Sequence, residues 1–321
     1  MSKSRLEECV EEIKALFANP DRRAVHRQAQ KILTQMASDK RVFEEIVRNN
    51  LSAPGFFSKV RNNPVIGFPI FQNKSFNMIA NCWLPHPTRK MDLTHQSIHH
   101  HGKLLLTSAS AFGAGYESIL FKRGFSVEKP SGVTQLEVDK FYRNSPGNIE
   151  FVDSFSPHVV FYPDTISITY VLWSAEEVAI TEGLKRLDFL RKHRMILKKA
   201  LGALGLSSVL GLNKVEDLDF YVEGGRVHQL SERRQYGGGT SENFARNVFH
   251  ILQKTGFDDG GFLKRVQAGL VGTESAVAAP WLEAWLAGRT IEDVFEPHHH
   301  FMDKVTLRRD DLMKCFPGLK S

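Results

Sequence analysis

The chain has 321 residues, of which 42% are hydrophobic and 24% are charged, as expected for a globular protein with a sizeable core. Because 42 basic residues are interspersed with 36 acidic ones, the net charge is only +6, and a solvated mixed surface is expected rather than a nucleic-acid-binding one. The three cysteines are far apart and imply no disulfide framework, which favours a reducing compartment. No apolar leader and no run of 18 apolar residues occur, so neither secretion nor membrane spanning is expected.

The first 63 residues show helical periodicity. Apolar residues recur at helical spacing between residues 4 and 17. The Asn19-Pro20-Asp21 segment is typical of a helix start with proline at the first helical position, and a second helix is predicted to run to about Asn49. The expected buried positions are Leu6, Val10, Ile13, Leu16, Phe17, Ile32, Met36, Phe43 and Ile46. Residues 1–63 are therefore predicted to form an N-terminal helical segment.

From Pro64 to about Trp173 the pattern changes to short apolar and β-branched runs broken by Pro, Gly and Asn, which is typical of strands. The 23 phenylalanines of the chain fit an aromatic-rich β core. Helical periodicity returns after Trp173. The predicted fold is therefore mainly β with helical extensions (α+β): an antiparallel β-barrel over residues 64–174, flanked by N- and C-terminal helices.

Four histidines lie within seven residues of this β region. In a strand, His95, His99 and His101 share one face, and His100 points to the other. Imidazole is the commonest protein ligand for zinc, iron and copper, so His99 and His101 are candidate ligands of one metal. His95 is left open as a fourth ligand, a supporting group or a substrate contact.

A third ligand is available further along the chain. His158 is the only histidine between His101 and His193, and it lies in a strand-like segment. Two ligands from one strand and a third from a later strand suit a small barrel with an internal metal. A histidine cluster can also be a polar surface strand or a set of core histidines, but the shared parity together with His158 favours a metal site.

The Ile98-His99-His100-His101-Gly102 segment resembles the Ile-His-x-His-Gly segment of the thiol dioxygenases, the cysteine dioxygenase group of the cupins. Pro157-His158 followed by Ser167-Ile-Thr resembles the second half of the same barrel. The resemblance covers about residues 64–174. It implies a cupin-type barrel with a three-histidine site, with Fe(II) as the first choice of metal and dioxygen as a co-substrate.

The sequence also departs from these families. Ordinary cupins place a glutamate shortly after the second histidine, whereas residues 103–107 read Lys-Leu-Leu-Leu-Thr, which favours three histidines without a carboxylate. The Ser-x-His-x-Tyr run of the thiol dioxygenases falls on Ser167, Thr169 and Val171, so its His and Tyr are missing. The cysteine that cross-links to that tyrosine in some members has no counterpart either. The resemblance thus supports the metal site better than it supports a thiol substrate.

Other side chains near the histidines are candidates for the chemistry. Arg89 and Lys90 precede the histidine strand and could anchor a carboxylate, while Tyr116 and Glu117 on the following strand could supply an acid, a base or a hydrogen bond. Trp83 is a candidate for the barrel lining. For each of these residues, a surface or core role is the alternative.

Residues 175–321 are predicted to be a mostly helical segment packed on the barrel. Residues 181–201 are amphipathic and basic, which fits a surface helix packed on the barrel, with a membrane-surface or partner helix as the alternative. The Gly-Gly-Gly-Thr segment at 237–240 is read as a flexible loop with a Ser cap rather than a phosphate cradle, before a helix from Ser241 to Lys254. The histidine run at 298–300 is read as a surface loop, with a secondary metal site as the alternative.

The function expected from these features is that of a mononuclear non-heme Fe(II) oxygenase or dioxygenase acting on a small molecule. Zn, Ni and Cu stay open as metals because imidazole alone does not select among them. The alternatives are a non-redox metal-dependent lyase or isomerase, and a non-catalytic small-molecule-binding cupin with a regulatory role. A cytoplasmic location is expected, with no membrane or nucleic-acid partner, and a homodimer is left open.

Overall fold

The computed structural model describes residues 3–58, 65–88, 90–128, 131–176, 219–230, 239–296 and 307–317. Within these ranges the helices are α1 (Arg5–Leu16), α2 (Arg22–Ser38), α3 (Lys40–Leu51), α4 (Ser241–Thr255), α5 (Gly260–Gly269), α6 (Gly272–Leu286) and α7 (Arg309–Cys315). The strands are β1 (Val65–Gln72), β2 (Phe76–Trp83), β3 (Ile98–His99), β4 (Leu104–Phe112), β5 (Tyr116–Phe121), β6 (Ser126–Val127), β7 (Val133–Gln135), β8 (Val138–Asn144), β9 (Ile149–Val152), β10 (His158–Val160), β11 (Ser167–Ala175), β12 (Asp219–Glu223) and β13 (Arg226–Gln229).

The N-terminal segment contains three helices rather than the two predicted. A capping box of Ser4 and Glu7 begins α1, which satisfies backbone N–H groups that have no partner within the helix. Asp21 caps α2 through its side chain, so Pro20 precedes the helix instead of occupying its first position. The prediction of one helix to Asn49 was wrong at Asp39, whose extended backbone ends α2 and whose carboxylate caps α3.

The strands form two antiparallel sheets. Sheet A has the order β1-β2-β11-β4-β9, and sheet B has the order β6-β7-β13-β12-β3-β10-β5-β8. Side chains from both sheets line one cavity, so the two sheets form facing walls of a barrel. The predicted fold class is confirmed: antiparallel β structure with helices at both ends.

The outer face of sheet A packs against α1 to α4 in one hydrophobic core. Several phenylalanines meet at this interface. Phe57 stacks on Phe249 of α4 at 5.7 Å between ring centroids, and Phe56 lies 5.7 Å from Phe68 of β1 and 5.4 Å from Phe244 of α4. Burial of a phenylalanine side chain stabilises a fold by roughly 1.5–3 kcal/mol, so these contacts hold the N-terminal helices and α4 on one face of the barrel.

A hairpin of β12 and β13 adds two strands to sheet B, next to β3. This hairpin was not predicted from the sequence. Its turn is Gly224-Gly225, with φ values of 57° and 73°, which favour glycine at both positions of a two-residue hairpin turn. Two glycines between short apolar runs were therefore a usable signal. The domain limits 1–63, 64–174 and 175–321 remain a proposal.

The helix predicted from Ser241 is present as α4, and its cap is Thr240, whose hydroxyl accepts a hydrogen bond from the Asn243 N–H at 3.1 Å. The predicted serine cap was therefore wrong by one residue. The amphipathic segment 181–201 and the histidine run 298–300 lie outside the described residues. None of the described helices combines the length and apolar character needed to cross a membrane.

A buried histidine joins α2 to the outer face of sheet A and predicts a pH dependence of stability. His26 Nδ1 lies 2.7 Å from the Thr107 hydroxyl, and its Nε2 lies 2.9 Å from the Ser174 hydroxyl. Burial lowers the pKa of His26 from its ordinary 6.5 to about 4. The unfolded chain thus binds a proton near pH 6.5, whereas the folded chain does so only near pH 4. Acid therefore favours unfolding, and at pH 5 His26 costs about 2 kcal/mol.

Urea denaturation at several pH values between 4 and 7 measures this contribution. We expect the stability of the wild-type protein to fall below pH 6.5, and that of His26→Gln to fall less over the same range. Identical pH profiles for the two proteins would contradict the assignment.

Candidate metal centre

Three histidines converge on the inner face of sheet B. His99 lies on β3 directly opposite His158 on β10, in antiparallel register, and His101 follows two residues after His99. The ring centroids are 4.3 Å apart for His99 and His158 and 4.8 Å apart for the other two pairs. One ring nitrogen from each residue lies within 4.8 Å of the other two. The three histidines predicted as ligands from the sequence are thus brought together.

Backbone hydrogen bonds orient two of these rings in the same way. His99 Nδ1 donates to the Ser97 carbonyl at 2.9 Å, and His158 Nδ1 donates to the Ser156 carbonyl at 3.3 Å. In each case the carbonyl lies two residues before the histidine. A proton held on Nδ1 leaves the lone pair on Nε2, which is the usual arrangement for a metal-ligating imidazole.

The donor set fits a transition-metal ion. Nitrogens bound to one ion at about 2.1 Å lie roughly 3–3.5 Å apart, and one ring nitrogen of each histidine here lies within 4.8 Å of the others. His99 and His158 are almost fully buried, so a bound ion would be shielded from bulk water. The Gln96 amide donates to His99 Nε2 at 2.6 Å, and a metal at that nitrogen would displace this hydrogen bond.

The other two histidines of the cluster occupy different environments. His100 Nδ1 accepts a hydrogen bond from the Gly102 N–H at 2.9 Å, and its ring packs near Phe125 and Phe155, apart from the three-histidine group. His95 lines the cavity but does not belong to that group. The His95 ring lies edge-on to Trp83 and Tyr162, with centroids 5.3 Å and 5.4 Å apart. The His95 side chain therefore forms part of the cavity wall.

A cavity of about 590 Å³ lies between the two sheets and contains the three histidines, a size that suits a small-molecule ligand. Its opposite wall is formed by the inward side chains of sheet A. Trp173 contacts His101 edge-on at 4.7 Å between centroids, and the Trp83 indole N–H donates to the Thr169 hydroxyl at 3.1 Å. The amides of Asn77 and Asn81 also face the cavity.

Of the two predicted catalytic residues on β5, Tyr116 lines the cavity and Glu117 does not. Tyr116 is buried in the cavity wall, where its hydroxyl accepts a hydrogen bond from the Asn144 amide at 2.8 Å. Burial raises the pKa of Tyr116 above its usual range, so the phenol retains its proton. The next residue, Glu117, forms an ion pair with Arg309 and is not among the residues that line the cavity.

The two basic candidates are not placed at the cavity by the structure. Arg89 lies outside the described residues, and Lys90 is exposed and is not a lining residue. The carboxylate anchor expected from this pair is therefore not observed within the described part of the chain.

Glu150 is a cavity residue that was not predicted from the sequence. It lies on β9 opposite Ser108 of β4, is 3% exposed, and its Oε1 accepts a hydrogen bond from the Ser118 hydroxyl of β5 at 2.5 Å. Burial raises the pKa of Glu150 from 4.5 to about 7, which allows the carboxyl group to gain or lose a proton near neutrality. The alternation of β9 placed Glu150 and Val152 on one face, but only the register with β4 shows that this face is the inner one.

No family model matches the sequence, and no curated protein matches it significantly. Solved structures that match part of the chain include the DMSP lyase DddQ from Ruegeria pomeroyi DSS-3, with 12% identity and a TM-score of 0.24 over 37% of this chain and 53% of that chain. The protein TT1209 from Thermus thermophilus matches with 17% identity and a TM-score of 0.22 over 36% of this chain and 89% of that one. The Cnp3 cupin domain of Schizosaccharomyces pombe matches with 5% identity and a TM-score of 0.24 over 36% and 68%.

The matched part spans about half of the DMSP lyase. Similarity at this level gives no information about the activity of the present chain. The cavity and its side chains are therefore the basis for assigning a function.

Proposed function

We propose that the protein is a metal-dependent oxygenase that acts on a small molecule and holds Fe(II) through His99, His101 and His158. The observation that carries the proposal is the convergence of three imidazoles, two of them oriented through Nδ1, on a cavity large enough for a substrate. When bound, Fe(II) would supply open coordination positions and the redox chemistry that dioxygen requires.

The residues of the chain would provide orientation, shielding and proton control. The Ser97 and Ser156 carbonyls hold the imidazoles of His99 and His158 in position. Trp173 packs against His101 and limits the access of water. Tyr116 keeps its proton and can donate a hydrogen bond from the wall of the cavity.

The lining also supports the proposal that cysteine is not the preferred substrate. In the resemblance to the thiol dioxygenases, Thr169 falls at the position of their histidine. Its hydroxyl accepts a hydrogen bond from the Trp83 indole N–H. Val171, at the position of the tyrosine, lines the cavity with an apolar side chain. A site built to hydrogen-bond a substrate discriminates strongly through such groups, and here both are replaced.

A metal-dependent lyase or isomerase is the second candidate, and the buried carboxyl of Glu150 favours it. Such reactions need a group that moves a proton rather than dioxygen. Turnover of a substrate under anaerobic conditions would place this candidate ahead of the oxygenase.

The test is an oxygen-electrode measurement on anaerobically iron-loaded protein. The compounds are cysteine, other small thiols and a panel of non-thiol acids. We expect oxygen uptake with a compound other than cysteine, and its loss in His158→Ala. Rapid uptake with cysteine alone would overturn the substrate proposal. A site that accepts only zinc and shows no uptake with any compound would favour the lyase, the isomerase or a binding protein.

A further inference from the structure

A second cavity, of about 500 Å³, lies between one end of sheet A and α4. It shares none of its described lining residues with the cavity of the three histidines. One wall comes from the end of β4 and the residues that precede β11, and the other comes from α4 and the segment that follows α6. A cavity of this size has room for a small-molecule ligand, and the proposed metal chemistry uses none of its residues.

The first wall is fixed by a close approach of two backbone segments. Gly113 follows β4 with a φ of 81°, and a Cβ at this position would lie 2.0 Å from the Ile166 carbonyl oxygen. Glycine is the residue that allows such an approach. The side chains of Phe112 and Ile166 give this wall an apolar surface, and Asp164 lines the cavity on the same side.

The second wall is fixed by side chains of α4. His250 Nδ1 donates to the Ile291 carbonyl at 2.5 Å, and the Ile291 N–H donates to Gln253 Oε1 at 3.0 Å. Lys254 follows Gln253 and Glu292 follows Ile291, so these two charged residues are neighbours across a hydrogen-bonded pair. Both line the cavity and both are exposed, which places them at its mouth.

Asp164 carries a carboxylate oxygen that the described part of the chain leaves unsatisfied. Its Oδ1 atom is buried and has no hydrogen-bond partner among the described residues. A buried acceptor without a partner destabilises the folded protein. Because Asp164 lines the cavity, a ligand that donates a hydrogen bond there would remove this cost, and a cationic donor would do so most effectively.

The charges of the lining residues define the ligand class. Asp164 and Glu292 are carboxylates, and Lys254 is the only lysine or arginine among the described lining residues. Asp293 adds a further carboxylate 4.0 Å from the Nε2 atom of His250. The cavity is therefore net negative but contains one ammonium group. A ligand with two cationic groups and one carboxylate complements this set.

We propose that the second cavity binds a small basic amino acid. The α-carboxylate of the ligand lies at Lys254 and its α-ammonium at Glu292, because these two groups share one carbon of the ligand and the two residues are neighbours. The side-chain cation reaches the buried oxygen of Asp164, and the methylene groups pack on Phe112 and Ile166. This inference does not depend on the metal centre.

Isothermal titration calorimetry of the full-length protein with L-lysine and L-arginine tests the ligand class. Two analogues of lysine test the placement: L-norleucine lacks the side-chain ammonium, and 1,5-diaminopentane lacks the carboxylate. Charge-assisted hydrogen bonds are the strong ones, so we expect the wild-type protein to bind lysine at least about 10-fold more tightly than either analogue.

Two variants assign the groups of the ligand to residues. Asp164→Asn keeps the shape of the side chain and should remove the preference for lysine over norleucine. Lys254→Met should remove or reverse the preference for lysine over 1,5-diaminopentane. Each comparison isolates one pair of groups, because the same variant is measured with and without the ligand group in question.

Asp92→Asn is the matched control. The Oδ1 atom of Asp92 is also buried without a hydrogen-bond partner among the described residues, but Asp92 is not a described lining residue of this cavity. The variant should bind lysine as the wild-type protein does. Thermal unfolding of all three variants shows whether each is folded at the temperature of the titration.

Wild-type protein that binds neither lysine nor arginine would overturn the ligand class. Lysine binding that is unchanged in both Asp164→Asn and Lys254→Met would overturn the site, since an amino acid held by a metal at the three histidines would behave in this way. An equal loss of lysine and norleucine binding in folded Asp164→Asn would overturn the contact between Asp164 and the side-chain cation.

Discussion

Replacing His158 by alanine is expected to lower the affinity for Fe(II) or Zn(II) by more than about 100-fold. Loss of a group that only hydrogen-bonds to a ligand typically costs about 10–100-fold, and this change removes a ligand itself. His158 lies directly opposite His99, so only two imidazoles of the three-histidine group would remain. Competition with a chromogenic chelator measures the affinity, and His99→Ala and His101→Ala should behave similarly.

His100→Ala is the matched control. His100 belongs to the same histidine run, is also buried, and has a ring that packs near Phe125 and Phe155. Its replacement should lower stability while leaving metal affinity within a few-fold of wild type. An equal loss of affinity in His100→Ala and His158→Ala would contradict the assignment of ligands.

Glu150→Gln is expected to stabilise the folded protein, by about 3 kcal/mol at pH 8. The folded-state pKa of Glu150 is raised to about 7 by burial, above its ordinary 4.5. The unfolded chain therefore loses this proton at lower pH, and ionisation opposes folding as the pH rises from 4.5 through 7. Each unit of pKa difference corresponds to about 1.36 kcal/mol. A neutral amide removes this cost.

Urea denaturation of both proteins at pH 4.5 and pH 8 measures the effect, and the difference should be small at the lower pH. Glu117→Gln, which breaks the ion pair with Arg309, should show no such gain. A variant destabilised equally at both pH values would show that Glu150 is not held with a raised pKa. The expected gain fits a residue kept for function at a cost in stability.

The fold class and the histidine group could be predicted from the sequence because both depend on local periodicity. The alternation of His99 and His101 predicts that they share one face of a strand, although β3 ends at His99, and His158 is the only histidine between His101 and His193. The division of the predicted second helix at Asp39 was missed because the helical pattern continues across it. One aspartate there both ends α2 and caps α3.

Only the strand register of the folded structure shows that Glu150, and not Glu117, faces the cavity. Glu117 is adjacent to Tyr116, and on a strand only one of them can face the cavity. The pairing of β5 with β8 and β10 places the Tyr116 side chain inside the cavity. Glu117 points to the other face, where it forms an ion pair with Arg309. Glu150 gains its hydrogen bond from Ser118, 32 residues away, and such non-local contacts cannot be read from spacing.

The metal content of protein purified without a His tag tests the central claim most directly. A variant with alanine at 298–300 excludes a contribution from that histidine run. We expect about one transition-metal ion per chain in this variant, and almost none when His99, His101 and His158 are also replaced by alanine. Metal-free protein with the three histidines intact, or equal metal content after their replacement, would contradict the account.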